Sequence, residues 1–204
     1  LCDKPAEYSY AAVPKSGIHG ESGMEKHISV PFTKETAASL CAGDYVYLTG
    51  TIYTARDAAH KRMQEAMDRN EALPVDMENN VIYYMGPSPA RPGRAIGSAG
   101  PTTASRMDKY APQLLDMGQR AMIGKGKRSQ EVIDAIVRNR AVYFAAVGGT
   151  GALLSKCIHK SDLVCYEDLG AEAILRLEVK DFPVIVIIDS QGNNLYAKIQ
   201  NSNK

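Results

Sequence analysis

The sequence contains no tryptophan and few cysteines, and its cysteines are far apart. The four of them, Cys2, Cys41, Cys157 and Cys165, form no C-x-x-C pair. Zinc and iron–sulfur sites within one chain usually include ligands that are close in sequence, so this spacing argues against such a site here. We interpret the cysteines as ordinary structural thiols in a reducing environment.

The sequence also lacks a long hydrophobic run and an excess of charge of either sign. The longest apolar run, residues 183–188, is far shorter than a membrane span, and no charged start followed by an apolar signal segment opens the chain. The 24 Lys and Arg residues against 23 Asp and Glu residues give a net charge of +1, which provides no overall field for nucleic acid or a membrane surface. These features predict a soluble, cytoplasmic protein whose positive sites are local.

The pattern along the chain predicts one α/β domain, residues 27–204, after a flexible linker or tail, residues 1–26. Predicted strands are 45–52, 81–85, 95–99, 120–123, 141–147, 163–166, 173–179 and 184–189, and predicted helices are 55–70, 103–110, 129–139 and 151–157. The polar segment 189–194 predicts a hairpin turn that leads into a strand at 195–199, and hence a mixed sheet.

Four predicted strands run into helices, and the first of these junctions places a cation where a helix begins. Thr54 with Asp57 three residues later resembles a capping pair, and Arg56 lies in the first turn. A cation there is unfavourable by about 0.3–1 kcal/mol unless an anion lies nearby, so Arg56 is a candidate anion ligand. The alternative is that Arg56 pairs with a surface carboxylate, and that His60 is a packing or capping residue.

The second junction, residues 97–107, combines glycine, proline and threonine before an arginine. Gly100 permits close backbone approach, and the proline and threonines that follow begin a helix. Such a start, with free N–H groups and hydroxyls, is suited to a carboxylate or phosphate, and Arg106, about one turn after Thr102, can add a bidentate contact. The alternative is a plain threonine cap beside a solvated arginine.

The third and fourth junctions are rich in glycine. Lys125 lies between two glycines directly after a buried-looking strand, where backbone amides and an ammonium are presented together. The segment fails the Walker pattern because Arg128, and no serine or threonine, follows Gly126-Lys127. The fourth junction, residues 147–152, lacks the full dinucleotide-binding spacing, and we interpret it as a tight turn first and a ligand loop second.

Ligands of α/β sheets bind where strands end and helices begin, so Arg56, Thr102, Arg106 and Lys125 would share one crevice if their strands are adjacent. Three fixed cations with amide donors suit a small dianion such as a dicarboxylate better than a neutral ligand. The residues alone leave phosphate equally open.

Four segments, in this order, resemble a known family: residues 54–62 (TARDAAHKR), 100–107 (GPTTASRM), 123–126 (IGKG) and 166–170 (YEDLG). Over residues 29–196 the sequence resembles the C-terminal domain or β subunit of class I fumarases. The resemblance implies a swivelling β/β/α fold similar to the last domain of aconitase. It also implies a partner, either a cluster-bearing α subunit or an N-terminal domain, in a larger assembly such as a heterotetramer.

In the implied enzyme, three cysteines of the partner hold a 4Fe-4S cluster, and this chain binds no metal. An iron of that cluster acts as a Lewis acid on malate, while this domain grips and positions the dianion. The implied substrate-binding residues are Arg56, Arg106 and Lys125. The implied catalytic residue is Thr102, with Thr103 as the alternative, and Asp57 and His60 support Arg56. Because a free hydroxyl is a poor base at neutral pH, Thr102 would need activation from the partner or would orient and relay.

The implied activity is a hydro-lyase that interconverts fumarate and malate. Core motifs do not separate this substrate from L-tartrate or a methylated dicarboxylate. A phosphate-binding module without chemistry of its own is an alternative that the glycine-rich loops permit. A purely structural interaction domain is another, and it predicts unchanged turnover when the three cations are replaced.

Overall fold

Strands and helices alternate through residues 25–90, 92–147 and 151–202, which the computed structural model describes. The strands are β1 (Glu25–Val30), β2 (Tyr45–Thr54), β3 (Val81–Tyr83), β4 (Ala121–Gly124), β5 (Val142–Ala146), β6 (Ile158–Cys165) and β7 (Ile174–Ile188). The α-helices are α1 (Lys34–Ala38), α2 (Asp57–Asp68), α3 (Ala111–Asp116), α4 (Gln130–Asn139), α5 (Gly151–Leu154) and α6 (Leu195–Ser202). Short 3-10 helices cover Ala104–Met107, Ser155–Cys157 and Glu167–Glu172. Residues 1–24 of the predicted tail lie outside the described ranges, and β1 begins at residue 25.

The seven strands form one mixed sheet that closes into a barrel-like ring. Strands β1 to β5 are parallel to their neighbours, and the long strand β7 pairs antiparallel with both β5 and β2. The ring therefore consists of β2, β3, β4, β5 and β7, with β1 added beside β2 and β6 beside β7. At Gly50 the φ angle is +129° and a Cβ atom would lie 2.2 Å from the Val30 carbonyl oxygen, so the close approach of β1 requires glycine there.

Two hydrophobic clusters stabilise this sheet, one on each face. Every strand of the ring contributes to the first cluster, for example through Val46, Tyr83 and Phe144. Alternate residues such as Ile82 and Tyr143 face the second cluster, which contains buried side chains of α2, α3 and α4. Burial of both faces accounts for the nearly continuous apolar runs of β3, β4 and β5, and these runs are why the sequence predicts these strands correctly.

The parallel arrangement brings the four predicted junctions to one edge of the sheet. Strands β2, β3, β4 and β5 are consecutive neighbours, so their carboxyl ends lie side by side. The assumed adjacency therefore holds for the strands ahead of the first, third and fourth junctions, β2, β4 and β5. The strand predicted ahead of the second junction, 95–99, does not form, and β3 occupies the place between β2 and β4 instead.

The predicted hairpin strand at residues 195–199 is wrong, because this segment is the helix α6. The turn itself forms, with the buried carboxylate of Asp189 accepting bonds from the amides of Gln191 and Asn193 at 3.0 Å each. The hairpin then stops after one bridge, between Ile188 and Asn194. The side chain of Asn194 accepts from the Tyr196 amide at 3.0 Å, a local bond that favours a helix start over a strand.

Other predicted elements differ in extent. Residues 95–99 form no strand; they close a loop in which the Ser98 amide donates to Ser88 Oγ at 2.8 Å. The predicted strands at 173–179 and 184–189 are one strand, β7, and the predicted helix at 103–110 is only a 3-10 helix ahead of α3. Strand β1 had no counterpart among the predicted strands. Within the described residues, no helix is long and apolar enough to cross a membrane.

Candidate functional site

Thr102 and Lys125 are joined through their main chains at the ends of β3 and β4. The Thr102 amide donates to the Tyr84 carbonyl at 2.7 Å, the Lys125 amide to the Thr102 carbonyl at 3.2 Å, and the Ala104 amide to the Lys125 carbonyl at 2.8 Å. Thr103 forms an isolated bridge with Lys125. The amides of Thr102, Ala104 and Lys125, which the sequence pattern assigned to anion binding, are therefore already bonded within the chain. The side chains remain as the candidate groups that bind an anion.

Arg106 and Arg56 share one carboxylate. The Arg106 Nε donates to Asp57 Oδ1 at 2.7 Å, and Arg56 Nε lies 3.8 Å from Asp57 Oδ2. Arg106 belongs to the 3-10 helix whose first residue, Ala104, is bonded to Lys125. The structure therefore brings all four predicted substrate-contacting residues to the same edge of the sheet.

The start of α2 differs from the predicted capping pair. Thr54 is still part of β2, and its Oγ1 accepts from the Leu175 amide at 3.0 Å and donates to the Ala173 carbonyl at 3.4 Å. The helix begins at Asp57, and no side chain of its N-cap residue Arg56 bonds to it. The predicted Thr54–Asp57 pair is wrong because pairing with β3 and β7 extends β2 through Thr54.

Glu172 takes the capping role instead and also holds Arg56. Its Oε2 accepts from the Ala58 amide at 2.8 Å, and its Oε1 lies 3.5 Å from Arg56 Nη2. A Cβ atom on Gly86 would lie 3.0 Å from Arg56 Cδ, so glycine leaves room for this side chain. Sequence reasoning did not identify Glu172, because it is 114 residues from Ala58 in the chain. The carboxylate pairing that was the alternative for Arg56 is present, and the Arg56 side chain remains 23% exposed.

The YEDLG segment, residues 166–170, packs against helix α2. The Asp168 carboxylate accepts from Arg62 Nη1 at 2.7 Å, and the Arg62 guanidinium carbon lies 5.2 Å from the centre of the Tyr166 ring. This segment therefore places Glu172 beside the start of α2.

The fourth junction packs against the second. The Ala99 amide donates to the Gly151 carbonyl at 3.0 Å, and a Cβ atom on Gly151 would lie 2.5 Å from the Gly100 nitrogen. Gly151, the described end of the fourth junction, is thus fixed against the second junction. Residues 148–150, on which the tight-turn interpretation falls, lie outside the described ranges.

His60 is a buried, neutral residue beneath Arg56. It is fully buried, its Nδ1 lies 2.9 Å from the Arg56 carbonyl oxygen, and its ring makes an edge contact with Tyr84 at 5.3 Å. Because a carbonyl only accepts, Nδ1 carries the proton and Nε2 does not. Burial is the main cause that lowers the pKa of His60 to about 4. His60 thus contacts the main chain of Arg56, and its supporting role stays a prediction.

We expect the protein to lose stability in acid through His60. An unfolded histidine takes up a proton below about pH 6.5, whereas folded His60, with a pKa of about 4, does not. The unfolded state therefore binds more protons as the pH falls from 6.5 to 4, which lowers the free energy of unfolding by on the order of 3 kcal/mol. Urea unfolding at several pH values measures the free energy of unfolding, which should fall less steeply between pH 6.5 and 4 in His60→Gln than in the wild type. The same fall in both proteins would contradict this account.

Two surface grooves are lined by residues other than the predicted site residues. One, of about 600 Å³, runs between β6, β7 and residues 74–76, and the other, of about 410 Å³, lies between α2 and Tyr166. Among the described residues, no three His, Cys, Asp or Glu side chains are grouped as metal ligands would be.

Comparison with known proteins identifies a family over nearly the whole chain. Residues 5–199 match the family described as Fumarase C-terminus, a match that begins inside the predicted tail. "Fumarate hydratase class I, aerobic" of Salmonella typhimurium is 44% identical over 157 residues, which are 76% of this chain and 27% of that enzyme. "Fumarate hydratase 2" of Leishmania major is 40% identical over 158 residues, 76% of this chain and 28% of the relative.

A third relative has nearly the same extent as this chain. The "Putative L(+)-tartrate dehydratase subunit beta" of Methanocaldococcus jannaschii is 38% identical over 173 residues, 82% of this chain and 89% of the relative. The present chain thus spans little more than a quarter of the fumarate hydratases, at 27% and 28%, but most of this subunit. On these matches, the chain belongs to the Fumarase C-terminus family.

Proposed function

We propose that this chain is the dicarboxylate-binding part of a hydro-lyase that interconverts fumarate and malate. The observation that supports this most is the convergence of Arg56, Arg106, Thr102 and Lys125 at one sheet edge. A dehydration reaction on a dianion needs fixed positive groups around the two carboxylates and a proton-transferring group beside the carbon between them. Two arginines, one lysine and one hydroxyl meet those needs.

The charges at this edge favour a small dianion. Within the described residues, Arg56 and Arg106 form salt bridges with two carboxylates, those of Asp57 and Glu172, and Lys125 forms none. Those carboxylates contact the arginines from the α2 side and leave half of the Arg106 side chain exposed. Charge-assisted bonds to a bound carboxylate are therefore available without breaking the fold.

Phosphate is less well suited to the same edge. Phosphate sites of the helix-start type depend on free backbone amides at the beginning of a helix. Here the amides of Thr102, Ala104 and Lys125 already bond within the chain, and the helix that follows has only four residues. We therefore favour the dicarboxylate over the phosphate module.

We assign the 4Fe-4S cluster to a partner, either an α subunit or an N-terminal domain. The cluster would supply a Lewis acid for the departing hydroxyl, while Arg56, Arg106 and Lys125 bind and orient the carboxylates. The name of the M. jannaschii relative, a subunit beta, supports a separate partner, and the exposure of Arg106 supports a site that another domain completes. We further propose a swivelling β/β/α domain similar to the last domain of aconitase, a larger assembly such as a heterotetramer, and a cytoplasmic enzyme of the tricarboxylic acid cycle.

Assay of the complete enzyme, with its cluster-bearing partner kept anaerobic, tests this proposal. We expect dehydration of malate, and Lys125→Met should lower kcat/KM by at least about tenfold because an ammonium–carboxylate bond is worth roughly 1.5–3 kcal/mol. Lys127→Met, a loss of the same charge at another exposed residue two positions along the loop, is the control and should change little. Unchanged turnover in Lys125→Met would argue against the site.

L-Tartrate is the second candidate substrate, favoured by the M. jannaschii relative. Parallel assays with malate, L-tartrate and a methylated malate decide between them. A higher kcat/KM for L-tartrate than for malate would show that the proposed activity is tartrate dehydration and not fumarate hydration. The proposed roles of the charged residues would stay the same.

A further inference from the structure

A buried arginine lies directly beneath the predicted site. The Arg128 side chain is fully buried, whereas Lys125, three residues earlier on the same loop, is exposed. A buried guanidinium is costly unless it is paired and hydrogen-bonded, so its surroundings are informative. The proposed function leaves Arg128 without a role, because it cannot reach solvent or a substrate.

Arg128 ties the loop that carries Lys125 to the segment that carries Arg106. Its Nε donates to Asp108 Oδ1 at 2.7 Å, and Asp108 Oδ2 accepts from the Ser129 amide at 2.7 Å. Asp108 directly follows the 3-10 helix that contains Arg106. One carboxylate therefore fastens both the side chain and the main chain of the lysine loop to the end of the arginine segment.

Two tyrosines hold the guanidinium in place. Its central carbon lies 5.4 Å from the centre of the Tyr84 ring and 5.0 Å from that of the Tyr143 ring. The Tyr143 hydroxyl donates to the Gly126 carbonyl at 3.0 Å, one residue after Lys125. Burial raises the pKa of Tyr143, so this hydroxyl stays protonated and remains a donor.

Tyr84, which contacts Arg128, also fixes the position of Thr102. The main-chain carbonyl of Tyr84 accepts from the Thr102 amide at 2.7 Å. Contacts of Arg128 thus reach the segment beside Thr102, the end of the Arg106 helix and the loop of Lys125. Thr102 and Arg106 belong to the second junction, whereas Lys125 belongs to the third, and no short-range interaction along the chain fixes the spacing between these two junctions.

We propose that Arg128 is a positioning residue that sets the spacing of Lys125 and Arg106 through Asp108 and Tyr143. This inference rests on the proposed function. A displacement of about 1 Å in a positioning group lowers catalytic efficiency by as much as about 10²-fold, because the bound geometry is lost. Arginine is required because a lysine ammonium lacks the extended planar guanidinium, which here reaches Asp108 through Nε, Met122 Sδ through Nη1 and the faces of two rings at once.

Two variants of the complete enzyme test the inference without relying on a fold-breaking change. Arg128→Lys keeps the charge, and Tyr143→Phe keeps the ring but removes the bond to Gly126. We expect kcat/KM for the preferred substrate to fall about 10²-fold in the first and about tenfold in the second. The inhibition constant of succinate, a non-reacting dicarboxylate, should rise in both, and this readout of binding is independent of chemistry.

Arg138→Lys is the matched control. Arg138 also pairs with an aspartate through Nε, at 2.8 Å from Asp116 Oδ1, but this pair is exposed and joins α4 to α3. The Arg138→Lys variant should have the kcat/KM and the succinate inhibition constant of the wild type. Equal losses in Arg138→Lys and Arg128→Lys would overturn the inference, because they would reflect a general loss of stability.

The outcomes separate this inference from the proposed function. Wild-type kcat/KM and succinate inhibition in Tyr143→Phe, or in a folded Arg128→Lys enzyme, would overturn the positioning role alone if Lys125→Met remained impaired. If Lys125→Met were also unimpaired, the proposed function itself would fail. If Arg128→Lys does not fold, the result for Tyr143→Phe decides.

Discussion

Replacing Arg106 with alanine is expected to lower kcat/KM of the complete enzyme by about 10²-fold or more. Truncation of one member of a hydrogen-bonded charge pair costs about 2–5 kcal/mol, and each 1.4 kcal/mol is a factor of about ten. The change removes a guanidinium from the dianion and leaves the Asp57 carboxylate opposed by Arg56 alone, at 3.8 Å. Steady-state kinetics over a range of substrate concentrations measure the loss.

The chain offers a close control for this experiment. Arg138 has a side chain 48% exposed and is paired with Asp116 at 2.7 Å, whereas Arg106 is 50% exposed and is paired with Asp57 at 2.7 Å. Arg138→Ala removes the same pairing on another part of the surface and should leave kcat/KM within about twofold, as surface pairs contribute little. Equal kinetics in Arg106→Ala and Arg138→Ala would show that Arg106 does not contact the substrate.

Replacing Thr102 with alanine is expected to lower kcat by about 10²-fold or more while KM changes little. The hydroxyl is the group that the proposal places at the proton transfer. Its removal should not disturb the site, because Thr102 is held by its main chain, through its amide to Tyr84 and its carbonyl to Lys125. A single-turnover measurement separates the chemical step from product release.

Thr103→Ala is the control that also decides between the two threonines. Thr103 is exposed, and no side-chain bond from it caps the 3-10 helix that follows. Its loss should lower kcat by less than about threefold, as expected of a side chain without a role in proton transfer. The opposite ranking of the two variants would move the catalytic role to Thr103.

The sheet and its long-range closure were predictable to different degrees. Strands β3 to β5 appear in the sequence as apolar runs because both of their faces are buried or half-buried, whereas β2 alternates between buried and more exposed residues. The ring is not visible there, since it depends on β7 pairing with β2, for example Ile185 with Tyr45. The helix α6 was misassigned because a short alternating segment after a turn fits a strand, while one side-chain bond from Asn194 selects the helix.

The predicted site residues were recognisable by type, but their neighbours were not. Arginine at a helix start, threonine before a second arginine, and lysine between glycines are local patterns. The carboxylate of Glu172 and the contacts of Arg128 arise from segments far apart in the chain. His60 lay within a predicted motif, yet its neutral state follows only from burial against Tyr84 and the Arg56 carbonyl.

By itself, the sequence determined which segments become the central strands and which cations follow them, and its four motif segments resemble a family to which the chain belongs. Those features depend on interactions over a few residues, which hydrophobic periodicity and turn chemistry record directly. Only the tertiary structure decided that the junctions are neighbours and that Asp57 joins the two arginines. It also decided that a buried Arg128 holds the lysine loop. These distances are set by the packing of the whole sheet and its helices, and no single stretch of sequence encodes them.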